Sequence, residues 1–132
     1  MRIDFNENLM TGIDEIDSQH KQLFETINNL SEIKSTQDNI WDSLLELEKY
    51  VCIHFETEES YMVKYQYPEL QEHIDEHAKF IQKFAELKVE FNQLGFSAEF
   101  VLELQSFLVE WLLTHYKNID TKMAKYIKNK IN

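Results

Sequence analysis

Residues 41–64, WDSLLELEKYVCIHFETEESYMVK, contain neither glycine nor proline and indicate the fold most clearly. Positions three and four apart form one stripe, which consists of Leu44, Leu47, Val51, His54, Glu58 and Met62. This spacing predicts an amphipathic α-helix with that stripe toward the core. Two polar side chains, a histidine and a glutamate, are therefore expected to face the protein interior.

Three further stretches show the same spacing, one before this segment and two after it. The stretch before it places on one face Ile13, Ile16, His20, Leu23, Ile27 and Leu30. The next stretch after it places on one face Leu70, His73, His77, Phe80, Phe84, Leu87 and Phe91. The last stretch carries Phe100 or Val101, Leu104, Phe107 or Leu108, Trp111 and His115. Each stretch predicts a helix with one buried face.

Turn and capping residues separate these stretches. Breaks are predicted near residues 34–38, 66–68 and 92–97, where Gly95 suits the last turn. The stretch Thr11–Asp14 resembles a capping box, and Pro68 suits the first position of the third helix. The remaining cap candidates are Ser35, Thr36 and Asp38 before the second helix and Ser97 before the fourth. All of these connections are short.

Four helices of about 20 residues with short connections favour antiparallel neighbours. The predicted fold is all-α, an up-down-up-down antiparallel four-helix bundle. The basic stretch from Lys117 to Lys130 is predicted to add a short C-terminal helix or tail. A length of 132 residues fits a single domain over residues 1–132.

Composition excludes several classes of function. The formal net charge is −11, so nucleic acid and anionic membranes would be repelled. No apolar run approaches the ~18 residues of a membrane span. Residues 1–7 lack a secretory pattern, and Cys52 has no second cysteine to pair with. We therefore expect a cytoplasmic protein with neither nucleic acid nor a membrane as partner.

All five histidines lie on the predicted apolar stripes, and Glu58 lies on one with them. A single histidine on such a face is usually a core residue bonded to a carbonyl. Five of five with a carboxylate is a different pattern, because a buried ionised glutamate costs several kcal/mol unless it is paired. Neutral imidazoles do not supply that countercharge, whereas a bound cation does.

Imidazole nitrogen with carboxylate oxygen suits iron, zinc, manganese or copper, and a lone cysteine argues against a thiolate site. Five imidazoles and a carboxylate exceed the ligands of one four-coordinate zinc ion. The set matches two six-coordinate ions that share ligands.

Four motifs in order resemble the hemerythrin family along nearly the whole chain. They are the opening run Gly12–Lys21, the HxxxE element His54–Glu58, the HxxxH element His73–His77, and the HxxxxD ending His115–Asp120. The family includes up-down bundles, in agreement with the predicted fold. The resemblance implies a non-haem di-iron centre inside the bundle.

The resemblance also implies which residues bind. One iron would be bound by His73, His77 and His115, and the other by His20 and His54. Glu58 and Asp120 would bridge the two irons together with an oxo or hydroxo group. This ligand set leaves one position open, on the iron with two histidines, where the family binds dioxygen.

Four residues stand at pocket positions of the family, and one of them, Tyr116, lies near the open position. Phe55, Trp111 and Leu112 are apolar, and plain core packing is the alternative explanation for each. Tyr116 stands where the family usually carries an aliphatic residue, so its phenol could narrow the pocket, donate to the ligand or turn away.

Asp120 follows His115 by five residues, about 140° round a regular α-helix. The helix is therefore predicted to end or distort near residues 117–119 if both side chains reach the irons.

The leading functional hypothesis is reversible dioxygen binding for storage, transport or scavenging, without enzymatic turnover. The alternatives are a di-iron enzyme, an oxygen, redox or nitric oxide sensor, and a bundle whose histidines are structural or hold adventitious zinc. The expected partner is dioxygen, and a reductase or oxygen-consuming partner stays undefined.

Overall fold

The structure, a computed structural model, describes residues 9–30 and 37–131, and of residues 37 and 38 only the backbone. Its four long helices are α1 (Asp14–Asn29), α2 (Gln37–Lys64), α3 (Leu70–Leu94) and α4 (Ala98–His115). A π-helical turn, Tyr116–Asp120, links α4 to the short helix α5, Thr121–Ile131. The described residues include no strand, and none of their helices is long and apolar enough to cross a membrane.

The helices form the predicted antiparallel bundle with a C-terminal helix. Each long helix contacts the next one in the chain, and α1 also contacts α4, so the four close into a ring. Helix α5 packs against α2 and the π-helical turn. The α2 helix begins four residues before the predicted Trp41, at Gln37. Ser35, Thr36 and the side chain of Asp38 lie outside the described residues.

Two apolar clusters fill the bundle at different heights. The large cluster extends from the α3–α4 connection toward the middle of the bundle, and its most buried members include Leu23, Ile27, Leu44, Leu47, Phe80, Phe84, Phe91 and Leu104. The small cluster joins α5 to the other ends of α1 and α2 and consists of Ile13, Ile16, Met62, Tyr67, Met123, Ala124 and Ile127. On every long helix, the stripe histidines lie beside or between these two clusters. A polar layer therefore crosses an otherwise apolar core.

The start of α1 differs from the predicted capping box. Its N-cap residue is Ile13, which makes no side-chain cap bond. The buried Asp17 carboxylate instead reaches back to accept from the Thr11 N–H at 2.6 Å, the Thr11 hydroxyl at 2.8 Å and the Gly12 N–H at 3.0 Å. Gly12 has φ of 87°, a left-handed conformation that favours glycine. The prediction is wrong because the capping group lies inside the helix.

The start of α3 also differs, whereas the connection before α4 is as predicted. Pro68 lies in a turn two residues before α3 and is not its first helical residue. Gly95, with φ of 76°, donates its N–H to the Phe91 carbonyl at the end of α3. The Ser97 hydroxyl accepts from the Phe100 N–H at 3.0 Å and caps α4.

We expect Ser97→Ala to lower the free energy of unfolding by about 1 kcal/mol, because the Phe100 N–H loses its cap. The matched control is Ser106→Ala, which lies exposed in the interior of α4 and should leave stability unchanged or slightly raised. The measurement is the urea midpoint by circular dichroism. Equal midpoints for the two variants would contradict the cap assignment.

Candidate metal centre

Seven ionisable side chains from all four long helices and the π-helical turn meet in the polar layer. Each is at most 4% exposed, and they are His20, His54, Glu58, His73, His77, His115 and Asp120. These are the seven residues that the sequence predicted as metal ligands, and the structure brings all of them together. Their role as ligands stays a prediction.

The Glu58 carboxylate divides its two oxygens between two groups of histidines. Its Oε1 lies 3.0 Å from His77 Nε2 and 3.6 Å from His73 Nε2. Its Oε2 lies 3.5 Å from His54 Nε2 and 4.0 Å from His20 Nε2. One carboxylate therefore faces both sides of the layer.

Asp120 makes the same division. Its Oδ1 lies 2.9 Å from His115 Nε2 and 3.2 Å from His73 Nε2. Its Oδ2 lies 3.3 Å from His20 Nε2. Three histidines thus gather on one side of the two carboxylates and two on the other.

Two overlapping sets of donor atoms are close enough to hold a metal ion each. Glu58, His73, His77 and His115 form the first, and His20, His54, Glu58 and Asp120 form the second, with the donor atoms of each set within 4.8 Å of one another. Glu58 belongs to both sets. The geometry therefore allows two neighbouring cations bridged by a carboxylate.

The π-helical turn accounts for the position of Asp120. Its hydrogen bonds span five residues, so residues five apart lie nearly above one another, whereas in an α-helix they diverge. Asp120 consequently returns to the side of His115. The predicted distortion near residues 117–119 is confirmed at Tyr116–Asp120.

The two carboxyl groups are ionised despite their burial. Burial and the nearby Asp120 raise the pKa of Glu58, but His54, His73 and His77 outweigh both and lower it to about 2. Burial likewise raises the pKa of Asp120, and the histidines, with His115 foremost, hold it well below its usual range. The layer therefore presents two negative charges to any cation.

The histidines differ in charge when the centre holds no metal. Burial lowers the pKa of His54 to about 4, so this ring is neutral at neutral pH. Burial also opposes protonation of His73, but the nearby Asp120 and Glu58 carboxylates raise its pKa to about 9. A protonated His73 then supplies countercharge in the metal-free layer. A metal ion would replace that proton as the source of positive charge.

Gln19 determines the tautomer of His54. The Thr57 hydroxyl donates to the Ile53 carbonyl at 3.0 Å and so accepts from Gln19 Nε2 at 2.9 Å. Gln19 Oε1 must then accept from His54 Nδ1–H, 2.9 Å away. The lone pair of His54 is left on Nε2, which faces the centre.

Glu59 does the same for His77. Its carboxylate accepts from His77 Nδ1–H at 2.9 Å, which leaves Nε2 to face Glu58. Such partners orient metal-binding histidines and raise their basicity. Sequence reasoning gave no role to Gln19 or Glu59, although both adjoin predicted ligands. The usable signal was that each buried histidine needs a partner for its second ring nitrogen.

Aromatic rings cover the three-histidine side. Phe55 stacks on His77 with ring centroids 3.7 Å apart, and Trp111 stacks on His115 at 4.3 Å. Phe55 and Leu112 are buried in the large cluster, and Trp111 is half-buried against it. Trp111 also lines a surface cavity of about 320 Å³ with Phe107, Glu110 and Thr114. Phe55 and Trp111 thus lie against two histidines of the three-histidine side, and contact of any of these pocket residues with a ligand stays a prediction.

Comparison with known proteins agrees with this centre. The sequence pattern of the family described as "Hemerythrin HHE cation binding domain" matches residues 11–127. The chain belongs to the hemerythrin family. It is 32% identical to a bacteriohemerythrin of Clostridium acetobutylicum over 79% of this chain and 84% of that protein. It is 31% identical to a bacteriohemerythrin of Pseudomonas aeruginosa strain PAO1 over 97% and 83% of the two chains.

Solved hemerythrin structures share the fold. A crystal structure described as wild-type hemerythrin superposes with a TM-score of 0.84 at 25% identity, over 95% of this chain and 97% of the other. A leucine-to-tyrosine variant of hemerythrin superposes with a TM-score of 0.85 at 24% identity, over 95% and 96%. The hemerythrin fold of this chain is thus shown by both sequence and structure.

Tyr116 is the predicted pocket residue for which the resemblance implies an aliphatic side chain. Its ring is buried and meets the His20 ring edge-on, with centroids 6.0 Å apart. Its hydroxyl donates to the Met10 carbonyl at 2.9 Å. The hydroxyl is therefore turned away from the centre and bonded to the loop before α1. Burial raises the pKa of Tyr116, so the phenol is neutral.

We expect Gln19→Ala to weaken metal binding about 10- to 100-fold, because His54 loses the partner that orients its ring. The control is Gln82→Ala, an exposed glutamine in the middle of α3. The measurement is competition with a chelator of known affinity, followed by metal analysis. Identical affinities for the two variants would contradict a positioning role for Gln19.

We expect Tyr116→Phe to lower the free energy of unfolding by about 1 kcal/mol, since a partly buried hydrogen bond from the hydroxyl to Met10 is lost. Tyr126→Phe is the matched control because its hydroxyl donates to the Gln66 carbonyl at 3.2 Å in an exposed setting. Its loss should be smaller in the same urea titration. A larger loss for Tyr126→Phe would show that the Met10 bond contributes little.

Proposed function

We propose that this hemerythrin binds dioxygen reversibly at a non-haem di-iron centre and is not an enzyme. The observation that carries the proposal is the division of Glu58 and Asp120 between the two histidine groups. That division supports His73, His77 and His115 as ligands of one iron, and His20 and His54 as ligands of the other. Glu58 and Asp120 would bridge them.

Unpartnered buried atoms support the fit of metal to this site. His54 Nε2, Glu58 Oε2, Asp120 Oδ1 and both ring nitrogens of His73 and His115 are buried without a hydrogen bond. Buried polar atoms are almost always satisfied, and a cluster of exceptions requires an explanation. Cations between the imidazole nitrogens and carboxylate oxygens would satisfy most of these atoms together. Nitrogen with oxygen donors suits iron.

These residues would hold two ferrous ions, which would supply the two electrons that dioxygen takes up on binding and returns on release. The protein's share is to hold the ligands and to exclude water. Gln19 and Glu59 hold two imidazoles in the binding tautomer. Phe55 and the half-buried Trp111 cover their neighbouring histidines with hydrocarbon.

The donor set favours binding over turnover. Carboxylate-rich di-iron sites of the ferritin-like bundles use a glutamate from each of two helices and a Glu-x-x-His motif from each of the other two. The present layer has five imidazoles and two carboxylates. Fewer anionic ligands stabilise the ferric state less, which supports release of dioxygen unchanged.

We also propose a reducing cytoplasmic setting, supported by Cys52, which has no second cysteine to pair with. The charge of −11 disfavours nucleic acid or an anionic membrane as a partner. A reductase that returns oxidised iron to the ferrous state would complete this setting.

The test is to load the protein with ferrous iron under anaerobic conditions and admit air. We expect two irons per chain and a visible absorption band that appears in air and fades under vacuum over repeated cycles. Glu58→Gln should lose iron and the band because the bridge is lost, whereas Glu56→Gln, exposed on the same helix, should keep both.

Three results would contradict the proposal. Oxidation without a reversible spectral phase would exclude a carrier. Many turnovers with a stoichiometric product would indicate a di-iron enzyme. Zinc alone, with well under two irons after reconstitution, would leave a structural role for the histidines.

A further inference from the structure

A small cavity connects the protein surface with one histidine of the centre. It has a volume of about 60 Å³ and is lined by residues that include Tyr67, Glu69, Glu72, His73, Asn118 and Lys122. These residues come from the α2–α3 turn, the start of α3, the π-helical turn and the start of α5. A water molecule needs about 10–15 Å³ of such space, so the cavity has room for a partly hydrated ion.

His73 stands between this cavity and the centre. The side chain is 1% exposed, and its Nε2 faces the two carboxylates, 3.2 Å from Asp120 Oδ1 and 3.6 Å from Glu58 Oε1. The other ring nitrogen, Nδ1, is buried without a hydrogen-bond partner. The Nε2 atom of His73 therefore faces the two carboxylates of the centre, and its Nδ1 atom has no hydrogen-bond partner.

The lining residues Glu69, Glu72 and Lys122 reach the solvent and form the mouth of the cavity, which is acidic. Glu69 and Glu72 contribute carboxylates, and Lys122 Nζ lies 2.6 Å from Glu69 Oε1. The two side chains of this ion pair are 60% and 42% exposed. An ion pair so exposed contributes about 0–1 kcal/mol, so it opens readily. The cavity mouth thus attracts cations and already holds one, the Lys122 ammonium, which is readily displaced from Glu69.

We propose that this cavity is the route by which divalent metal ions reach the centre. This route rests on the proposed di-iron centre. Glu69 and Glu72 collect the hydrated ion, which displaces the Lys122 ammonium from Glu69. His73 is then the first imidazole that the ion meets, with the Asp120 and Glu58 carboxylates directly behind it.

The experiment measures the rate of metal uptake by metal-free protein. Co²⁺ is mixed with the full chain in a stopped-flow instrument, and its absorption in a nitrogen-and-oxygen site reports binding; Fe²⁺ is then tested anaerobically. Lys122→Gln should speed uptake about three- to tenfold, because the competing cation is gone. Glu72→Gln should slow uptake by a similar factor. Final cobalt content should equal that of the native protein in both.

Matched controls separate the cavity mouth from the overall charge. Lys125→Gln removes a positive charge, as Lys122→Gln does, but lies one turn further along α5. Asp75→Asn removes a negative charge, as Glu72→Gln does, but lies one turn further along α3. Both side chains are exposed, and neither lines the cavity. Both controls should take up cobalt close to the native rate.

Two outcomes would overturn the route while leaving the centre intact. In one, each variant takes up metal at the rate of its control, and the cavity holds only water. In the other, final cobalt content changes and the rate does not, so that Glu72 and Lys122 act on affinity. Failure of the native protein to take up either metal would instead refute the centre itself, and the route with it.

Discussion

Two carboxylates buried among five imidazoles are the constraint on which the rest of this bundle depends. An unpaired buried charge costs several kcal/mol, so Glu58 and Asp120 require positive partners at every moment. Protonated histidine supplies the partner in the metal-free state, because the pKa of His73 is raised to about 9. Metal ions would take over the same task. In both the metal-free and the metal-bound state, all four long helices must bring polar groups to the same level along the bundle axis.

The apolar clusters on both sides of this layer strengthen the electrostatic interactions between its carboxylates and imidazoles. The seven polar side chains are almost completely buried, so each contact between carboxylate and imidazole acts in a medium of low dielectric constant. The stacked rings of Phe55 and Trp111 extend this dry environment to the histidines themselves. Packing and electrostatics are therefore two consequences of one arrangement, and a change that admits water would weaken both.

Sequence periodicity located the helices, the five histidines and Glu58, because the face of a helix follows from spacing within one segment. Asp120 was predicted only by the resemblance to hemerythrins. The distortion after His115 followed as well, since Asp120 lies five residues on. The roles of Gln19 and Asp17 escaped prediction because their partners lie on another helix or in the preceding loop. The charge of His73 depends on distances between helices, which no spacing along the chain reveals.

The π-helical turn also governs the C-terminal helix. Each residue turns an α-helix by about 100°, so one additional residue within a turn rotates everything after it by roughly that angle. This rotation decides which side of α5 meets the bundle, and Met123 and Ile127 are the residues buried there. A single-residue deletion within 116–120 would therefore misdirect Asp120 and expose the apolar side of α5 together. The position of Asp120 and the packing of α5 therefore depend on the same π-helical turn.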